Sequence, residues 1–270
     1  MCVCYKVRYG QPSDGTCVSA AEERQTKSAQ SGQAGGPLRR FGAAVRSRGY
    51  YKTLRRLHEV LVPETYLEIG IRKGDSLALA TSAAVAIGID PKPMLSKPTA
   101  SNAKIFAFTS DEFFETHDVR AELGGRDLDL AFIDGMHLFE YVLRDFANLE
   151  RWSTPGTVVV LHDCLPVDEL SASRERTTSL WTGDVWKVVP VLRRFRPDLS
   201  LTIIDSSPSG LVVVEGLDAA STVLVDHADA IADEFTPLGF EHFEKSRPDT
   251  LALAADLEQF LTGLGERRRG

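Results

Sequence analysis

Residues 66–77, YLEIGIRKGDSL, constrain the fold more than any other part of the chain. Their apolar, β-branched run ends at Gly70, and a periodic segment follows Asp75 and Ser76, both suitable helix caps. This order predicts a buried strand, a tight turn and a helix. Glycine at positions 70 and 74 allows the backbone to turn sharply and to approach a ligand closely.

Two acids lie where such a unit binds a ligand. Glu68 stands inside the apolar run, where a carboxylate needs a partner or a function. Asp90 ends the next apolar run, AVAIGID, about 20 residues after the glycine turn, and an acid at this place takes ribose hydroxyls in α/β sheets. The spacing G-x-x-x-G is not the G-x-G-x-x-G of a pyrophosphate cradle, so a ligand with a ribose but no pyrophosphate fits better.

The rest of the chain alternates between strand and helix patterns. Continuous apolar runs such as LAFID and VVVLH favour a mainly parallel sheet between two helical layers. The segment SSPSG is too short for a parallel crossover and predicts a C-terminal antiparallel hairpin. The expected fold is therefore α/β, a Rossmann-like doubly wound sheet with helices on both faces. Predicted strands are 66–71, 84–90, 104–109, 128–134, 157–162, 201–205 and 211–215, and predicted helices are 75–82, 111–123, 138–152, 184–195, 219–235 and 249–264.

With 270 residues, the chain is long enough for one sizeable domain with appendages. We expect a disordered tail over residues 1–37, because it is rich in Ser, Gln, Gly and Ala. Residues 38–63 predict a helical lead-in that packs on the sheet edge or covers the cofactor. The ligand-binding domain is assigned to 64–217. Residues 218–270 are predicted to form a helical extension with a solvated basic tip.

Composition excludes several classes of function. The net charge is −7, which argues against a surface for nucleic acid. No apolar run approaches the roughly 20 residues that span a bilayer, and we expect no membrane association. The four cysteines form no spaced disulfide framework, so a reducing, cytoplasmic location is expected.

A second group of polar residues follows two neighbouring central strands. Asp134 ends LAFID, while His162 and Asp163 end VVVLHD. Because the carboxyl ends of parallel strands meet at one edge, we expect these three side chains to converge. Two carboxylates and an imidazole suit a divalent cation such as Mg²⁺ or Mn²⁺. The alternative is that the acids cap helices and the histidine is simply hydrogen-bonded in a polar crevice.

The motif E-I-G-x-x-x-G-x-S, followed by I-D-P, resembles the S-adenosylmethionine site of class I methyltransferases. Five parallel strands closed by a hairpin also match that class better than a nicotinamide dehydrogenase. The resemblance implies that Glu68, Gly70, Gly74, Ser76 and Asp90 bind S-adenosylmethionine.

Over residues 50–217, the chain resembles the metal-dependent small-molecule O-methyltransferases related to macrolide-sugar methyltransferases. In those enzymes an acid after the fourth strand and an acidic pair after the fifth hold the metal. The resemblance implies that Asp134 and Asp163 are the firmer ligands, whereas His162 departs from the acidic pattern. The D-x-x-H spacing further implies that His137 is the general base, and a helix start is expected to keep its ring unprotonated.

Residues 166–187 form a polar stretch after the predicted metal strand, where a lid would arise. Trp181 is suited to stack on a sugar or planar acceptor, with Asp184 and Lys187 as hydrogen-bonding partners. The alternatives are helix capping by Asp184 and core packing by Trp186, and packing is favoured for Trp186.

These features predict an S-adenosylmethionine- and divalent-metal-dependent O-methyltransferase acting on a hydroxyl of a small molecule, with a sugar or glycosylated natural product as the first candidate. One alternative is an NAD-dependent dehydrogenase or epimerase, which the missing phosphate cradle disfavours. Another is a non-catalytic partner-binding protein with a methyltransferase-like fold. The sequence leaves a homo-oligomer open as the assembly.

Overall fold

The computed structural model describes residues 49–96, 99, 102–250 and 256–269, with side chains up to residues 246 and 268 in the last two ranges. Its strands are β1 (Thr65–Ile69), β2 (Val85–Ile89), β3 (Ala103–Phe106), β4 (Leu130–Ile133), β5 (Val158–His162), β6 (Ser200–Ile204) and β7 (Leu211–Glu215). They form one sheet in the order β3-β2-β1-β4-β5-β7-β6.

Strands β1 to β5 pair in parallel, whereas β7 lies antiparallel between β5 and β6. The prediction of a doubly wound sheet closed by an antiparallel hairpin is therefore confirmed. The strand order reverses between β1 and β4, and such a reversal opens a crevice at the carboxyl ends of the strands. Ligands of open α/β sheets bind there.

The helices lie on both faces of the sheet. They are α1 (Gly49–Leu61), α2 (Ser110–Thr116), α3 (Val119–Glu122), α4 (Phe139–Glu150), α5 (Val188–Phe195), α6 (Val223–Asp226), α7 (Ala228–Phe235), α8 (Phe240–Thr250) and α9 (Leu257–Arg269). Successive side chains of a strand point to opposite faces. Leu67 and Ile69 accordingly pack with α4, α5 and α7, whereas Tyr66 packs with α1 and α9.

Helix α1, the described part of the predicted lead-in, begins beside the carboxyl edge of the sheet. The backbone N–H of Tyr50 donates to the Ser207 carbonyl at 3.1 Å, and the hydroxyls of Thr53 and Ser206 lie 2.6 Å apart. A Cβ on Gly49 would come within 2.6 Å of the Ser207 carbonyl oxygen, so only glycine permits this approach. The start of α1 is thereby tied to the β6–β7 turn.

Helix α9 is tied to the opposite, amino edge. Arg268 donates to the Asp129 carbonyl at 3.0 Å and pairs with its carboxylate, which also accepts from the backbone N–H groups of Glu64 and Thr65. Arg267 pairs with Glu215 at 3.0 Å. The prediction of a solvated basic tip is therefore wrong for Arg268, which is largely covered where it reaches Asp129, whereas the side chain of Arg267 stays exposed as predicted.

A second cluster of charges holds the ends of α4 and α5 together. Arg196 is only 2 % exposed, and its guanidinium donates to both carboxylate oxygens of Glu150 at 2.5 Å. It also pairs with Asp198 at 2.6 Å. This cluster lies at the amino edge as well, since Asp198 precedes β6 and Glu150 ends α4.

Several predicted helices differ from the observed ones. The segment 75–82 contains only a 3-10 helix, Leu77–Leu79, because the chain turns back towards β2 after the buried Ala80. The segment 111–123 is divided into α2 and α3, since Asp118 starts a new helix by accepting from the Ala121 N–H at 2.9 Å. The segment 184–195 opens with a 3-10 helix, Val185–Lys187.

The C-terminal predictions were also incomplete. The segment 219–235 forms two helices, α6 and α7, and α8 was missed although Phe243 is buried. Residues 251–255 of the predicted last helix lie outside the described residues, as does the predicted tail 1–37. Within the described residues, no helix is long and apolar enough to cross a membrane.

Candidate functional site

The glycine turn after β1 touches the backbone that follows β4. Gly70 has a φ of +88°, and a Cβ there would lie 2.2 Å from the carbonyl oxygen of Asp134. The sequence suggested that this glycine gives room to a ligand, but the observed neighbour is protein backbone. Any larger residue would push the turn and the Asp134 segment apart.

Glu68 is completely buried beneath this turn. Its carboxylate accepts from the Tyr66 hydroxyl at 2.9 Å and from the Ser76 hydroxyl at 2.5 Å. Burial raises the pKa of Glu68 to about 8, although both hydroxyls counteract it. Ser76 therefore supports Glu68 and makes no side-chain cap bond, so its predicted role as a helix cap is wrong.

Asp90 lies at the carboxyl end of β2, as predicted. Its two carboxylate oxygens accept from the backbone N–H groups of Lys92 and Arg72, each at 2.7 Å. Gly74 has a φ of +76°, and its missing Cβ leaves room for Leu95 from the loop after β2. These contacts fix the orientation of the turn and of the Asp90 carboxylate. Each oxygen of that carboxylate keeps a second lone pair that can accept another hydrogen bond.

Asp134, His162 and Asp163 meet at the ends of β4 and β5, as the sequence predicted. The Nδ1 atom of His162 lies 2.8 Å from Asp134 Oδ1 and 3.4 Å from Asp163 Oδ2. One ligand atom from each residue lies within 4.8 Å of the other two. Two carboxylates and one imidazole at this spacing can hold a divalent cation.

Asp163 adopts an unusual backbone conformation within this cluster. Its φ is +61°, in the left-handed region that few residues other than glycine enter. Burial would raise its pKa, but the charges and hydrogen bonds of His162 and His137 hold that pKa well below its usual range. The strained backbone thus carries a carboxylate that stays ionised in a buried place.

His137 joins the cluster from the loop before α4. Its Nδ1 lies 2.8 Å from Asp163 Oδ2 and 3.0 Å from the Trp181 carbonyl. Because both neighbours only accept, Nδ1 carries the proton. The Nε2 atom is then left facing Asp134, whose Oδ1 is 3.9 Å away.

The expectation that a helix start keeps His137 unprotonated did not include the two acids that face its ring. Burial lowers the pKa of His137, but the hydrogen bond and charge of Asp163, with the charge of Asp134, outweigh it and raise that pKa. The same two acids raise the pKa of His162 well above its usual value despite burial. The two acids thus favour the protonated form of both histidine rings.

Residues 67–164 match a family model described as a methyltransferase domain. Together with the strand order, this match decides the class. The chain contains a class I methyltransferase domain. The recognition of an S-adenosylmethionine-dependent methyltransferase from the sequence is thereby confirmed at the level of the domain. No curated protein matches the sequence significantly.

Solved structures similar to this methyltransferase domain share little sequence with it. Cofactor-bound Rv0187 from MTB is 15 % identical, with 68 % of this chain and 92 % of that chain covered and a TM-score of 0.49. The O-methyltransferase TomG from Streptomyces achromogenes, in complex with SAM, is 16 % identical, with 62 % and 79 % covered and a TM-score of 0.46. Since both scores lie below 0.5, the fold class rests on the strand order itself.

Residues 166–187, the predicted lid of the methyltransferase domain, are fixed to the domain by contacts of the buried Asp184. Asp184 accepts from the Phe139 N–H at 2.8 Å, and so caps α4 rather than its own helix. It also pairs with Arg174 at 2.6 Å and with Lys187 at 2.8 Å. Asp184 and Lys187 are both 2 % exposed and use their charges inside the protein, so their contact with a substrate stays a prediction.

The two tryptophans of the lid differ in environment. Trp186 is 2 % exposed, in agreement with core packing. Trp181 is half-buried and stacks on the His137 ring with centroids 5.1 Å apart and planes at 9°. Gly183 makes this stacking possible, because a Cβ there would lie 1.6 Å from the His137 carbonyl oxygen.

Three residues of the site were missed by sequence reasoning. The Tyr50 ring packs on His162 with centroids 4.2 Å apart and stacks on the Tyr51 ring at the same centroid distance. Burial raises the pKa of Tyr51, and the charge of Asp134 adds to that rise. Ser209 donates to Asp163. The paired tyrosines at the start of α1 were a usable signal, whereas nothing in the sequence around Ser209 singles it out.

Proposed function

We propose that the protein is an S-adenosylmethionine- and divalent-metal-dependent O-methyltransferase that acts on a hydroxyl of a small molecule. A sugar or a glycosylated natural product is the first candidate acceptor. The observation that carries this proposal is the convergence of Asp134, His162 and Asp163 beside His137, directly against the glycine turn. Alignment of donor and acceptor next to a base is the main requirement of methyl transfer.

The methyl donor would be held by the turn from Gly70 to Gly74 and by Asp90. The Asp90 carboxylate is already oriented by two backbone N–H groups, which supports its role as an acceptor for ribose hydroxyls. When bound, S-adenosylmethionine supplies a methyl group activated on a sulfonium. The absence of a G-x-G-x-x-G motif disfavours NAD as the ligand.

The cation would be held by Asp134 and Asp163, with His162 as the third ligand. The donor set of two carboxylates and one imidazole fits Mg²⁺ or Mn²⁺. When bound, a divalent cation supplies Lewis-acid chemistry that makes the acceptor hydroxyl more acidic.

His137 would accept the proton of the acceptor hydroxyl at Nε2. Its Nδ1 proton is committed to Asp163 and the Trp181 carbonyl, which fixes the ring and leaves Nε2 facing Asp134. Stacking on Trp181 adds a second restraint on the ring plane. A base held in this way needs no reorganisation during the reaction.

Calorimetry tests the donor. We expect S-adenosylmethionine and its demethylated product to bind, and NAD not to bind. Asp90→Ala should weaken binding by about 10-fold or more, because a charged hydrogen-bond acceptor is lost. Asp229→Ala, which removes an exposed acid of α7, is the matched control. Binding of NAD without binding of S-adenosylmethionine would reject this function.

Transfer of labelled methyl groups to a panel of catechols, glycosides and polyols tests the reaction. Chelation should abolish transfer, and Mg²⁺ or Mn²⁺ should restore it in wild type but not in Asp134→Asn. Transfer that persists after exhaustive chelation would remove the metal from the mechanism. A protein that binds the donor but methylates no acceptor would favour the non-catalytic alternative.

A further inference from the structure

Ser209, in the turn between β6 and β7, contacts the carboxylate oxygen of Asp163 that His137 does not contact. Its side chain is completely buried. The hydroxyl donates to Asp163 Oδ1 at 2.5 Å, whereas His137 and His162 approach the other oxygen, Oδ2, at 2.8 and 3.4 Å. Each oxygen of this carboxylate therefore has a separate set of partners.

The backbone of Ser209 strengthens this contact. Its carbonyl accepts from the Leu165 N–H at 2.7 Å, two residues beyond Asp163. Gly210 packs so closely that a Cβ would lie 2.5 Å from the Leu165 side chain. The β6–β7 turn thus binds the segment after β5 through the Ser209 carbonyl and through the Ser209 hydroxyl. In this segment the Asp163 backbone has the left-handed conformation.

A nucleophilic role for Ser209 does not fit these contacts. Ser209, His162 and Asp134 do form a row, with the hydroxyl 3.4 Å from His162 Nε2 and His162 Nδ1 2.8 Å from Asp134. However, a nucleophile must donate its proton to the histidine and reach a substrate. Ser209 donates to Asp163 instead and is 0 % exposed.

We propose that Ser209 is a positioning residue for the divalent cation, because it holds Asp163 by Oδ1 while Oδ2 stays directed towards His137 and His162. This inference rests on the proposed metal dependence. It assigns a function to the β6–β7 turn, which contributes no ligand itself. Partners that orient metal ligands commonly change metal affinity by about 10- to 100-fold when they are removed.

Two effects of removing the hydroxyl oppose each other. Loss of a donor leaves more negative charge on the carboxylate, which favours a cation. Loss of the same donor leaves a buried oxygen without its partner and frees the carboxylate to rotate, which disfavours ordered binding. Because Asp163 is buried and the Ser209 hydroxyl is bonded directly to its Oδ1, we expect the loss of orientation to prevail.

The test is a titration of the purified full chain with Mn²⁺ alone, followed by electron paramagnetic resonance of the free ion. Ser209→Ala should bind Mn²⁺ about 10-fold or more weakly than wild type. The matched control is Ser206→Ala. Ser206 is a buried serine of the same turn whose hydroxyl bonds Thr53, and its loss should leave Mn²⁺ affinity unchanged.

Thermal unfolding with and without Mn²⁺ separates positioning from a purely structural role. A structural role would lower the melting temperature of Ser209→Ala but keep its Mn²⁺ affinity, and this outcome overturns the inference alone. No Mn²⁺ binding by wild type overturns the inference together with the proposed metal dependence. Should Ser209→Ala fail to fold, Ser209→Cys replaces it, and an affinity equal to that of wild type would be the refuting result.

Discussion

Replacing Glu68 by glutamine should change how stability depends on pH. The side chain is completely buried, and burial raises its pKa to about 8, against an ordinary value of 4.5. The folded protein therefore holds this proton more tightly than the unfolded chain. Its contribution to stability is fully present below the unfolded pKa and is lost as pH rises through the folded pKa.

The magnitude follows from the two pKa values. Between pH of about 5.5 and 7, the folded protein keeps the proton while the unfolded chain has lost it. Each pH unit then removes about 1.4 kcal/mol of stability from wild type, or about 2 kcal/mol over this range of about 1.5 pH units. The amide of Glu68→Gln does not titrate, so the variant should gain that amount relative to wild type as pH rises.

Urea unfolding at a series of pH values measures this difference. The three tryptophans of the chain provide the fluorescence signal. Other groups titrate equally in both proteins and cancel when the two free energies of unfolding are subtracted. A glutamine cannot match the Tyr66 and Ser76 donors fully, but that penalty is independent of pH.

The test is therefore how the difference in free energy of unfolding between Glu68→Gln and wild type changes with pH. Glu169→Gln, a change at an exposed position, should give a difference that does not vary with pH. If the difference between wild type and Glu68→Gln is also constant from pH about 5.5 to 7, Glu68 is not held protonated by burial. The reasoning from burial to pKa would then be refuted.

Three further changes probe the base, the lid and the amino edge. His137→Ala should lower turnover on the acceptor found by the methyl-transfer screen by about 100-fold while product binding measured by calorimetry stays the same; equal turnover would place the base elsewhere. Gly183→Ala should shift the fluorescence of Trp181, because its Cβ would collide with the His137 carbonyl, and an unchanged spectrum would contradict the observed contact. Arg196→Met should cost about 3–5 kcal/mol in urea unfolding, since it leaves Glu150 buried and unpaired; a loss below about 1 kcal/mol would show that Glu150 finds another partner.

Features that depend on local pattern could be predicted from the sequence. The apolar runs predicted all the strands of the described sheet to within about three residues at each end. The convergence of Asp134, His162 and Asp163 followed from one rule, that parallel strands end at a common edge. Both predictions needed only the period of the pattern and the direction of the strands.

Features that depend on distant contacts could not be predicted. The sequence pattern of an acid in a polar loop does not differ between an acid that binds a ligand and one that caps another helix. The bond from the Phe139 N–H to Asp184 could therefore not be predicted. Ser209 is an ordinary turn residue until the fold brings it to Asp163. The pKa of His137 likewise depends on Asp163, a residue that the chain reaches only after another helix and strand.

The acids that follow β4 and β5 have a different kind of partner from the acids at the amino edge of the sheet. At the amino edge, Asp129 meets Arg268 and Glu150 meets Arg196, and each acid there has a permanently charged arginine as its partner. After β4 and β5, the partners of Asp134 and Asp163 are histidines, whose charge, unlike that of arginine, depends on protonation. A change in protonation should therefore alter the cluster after β4 and β5 while the arginine pairs keep the amino edge in place. Substitutions at the carboxyl ends of these strands would leave those arginine pairs intact.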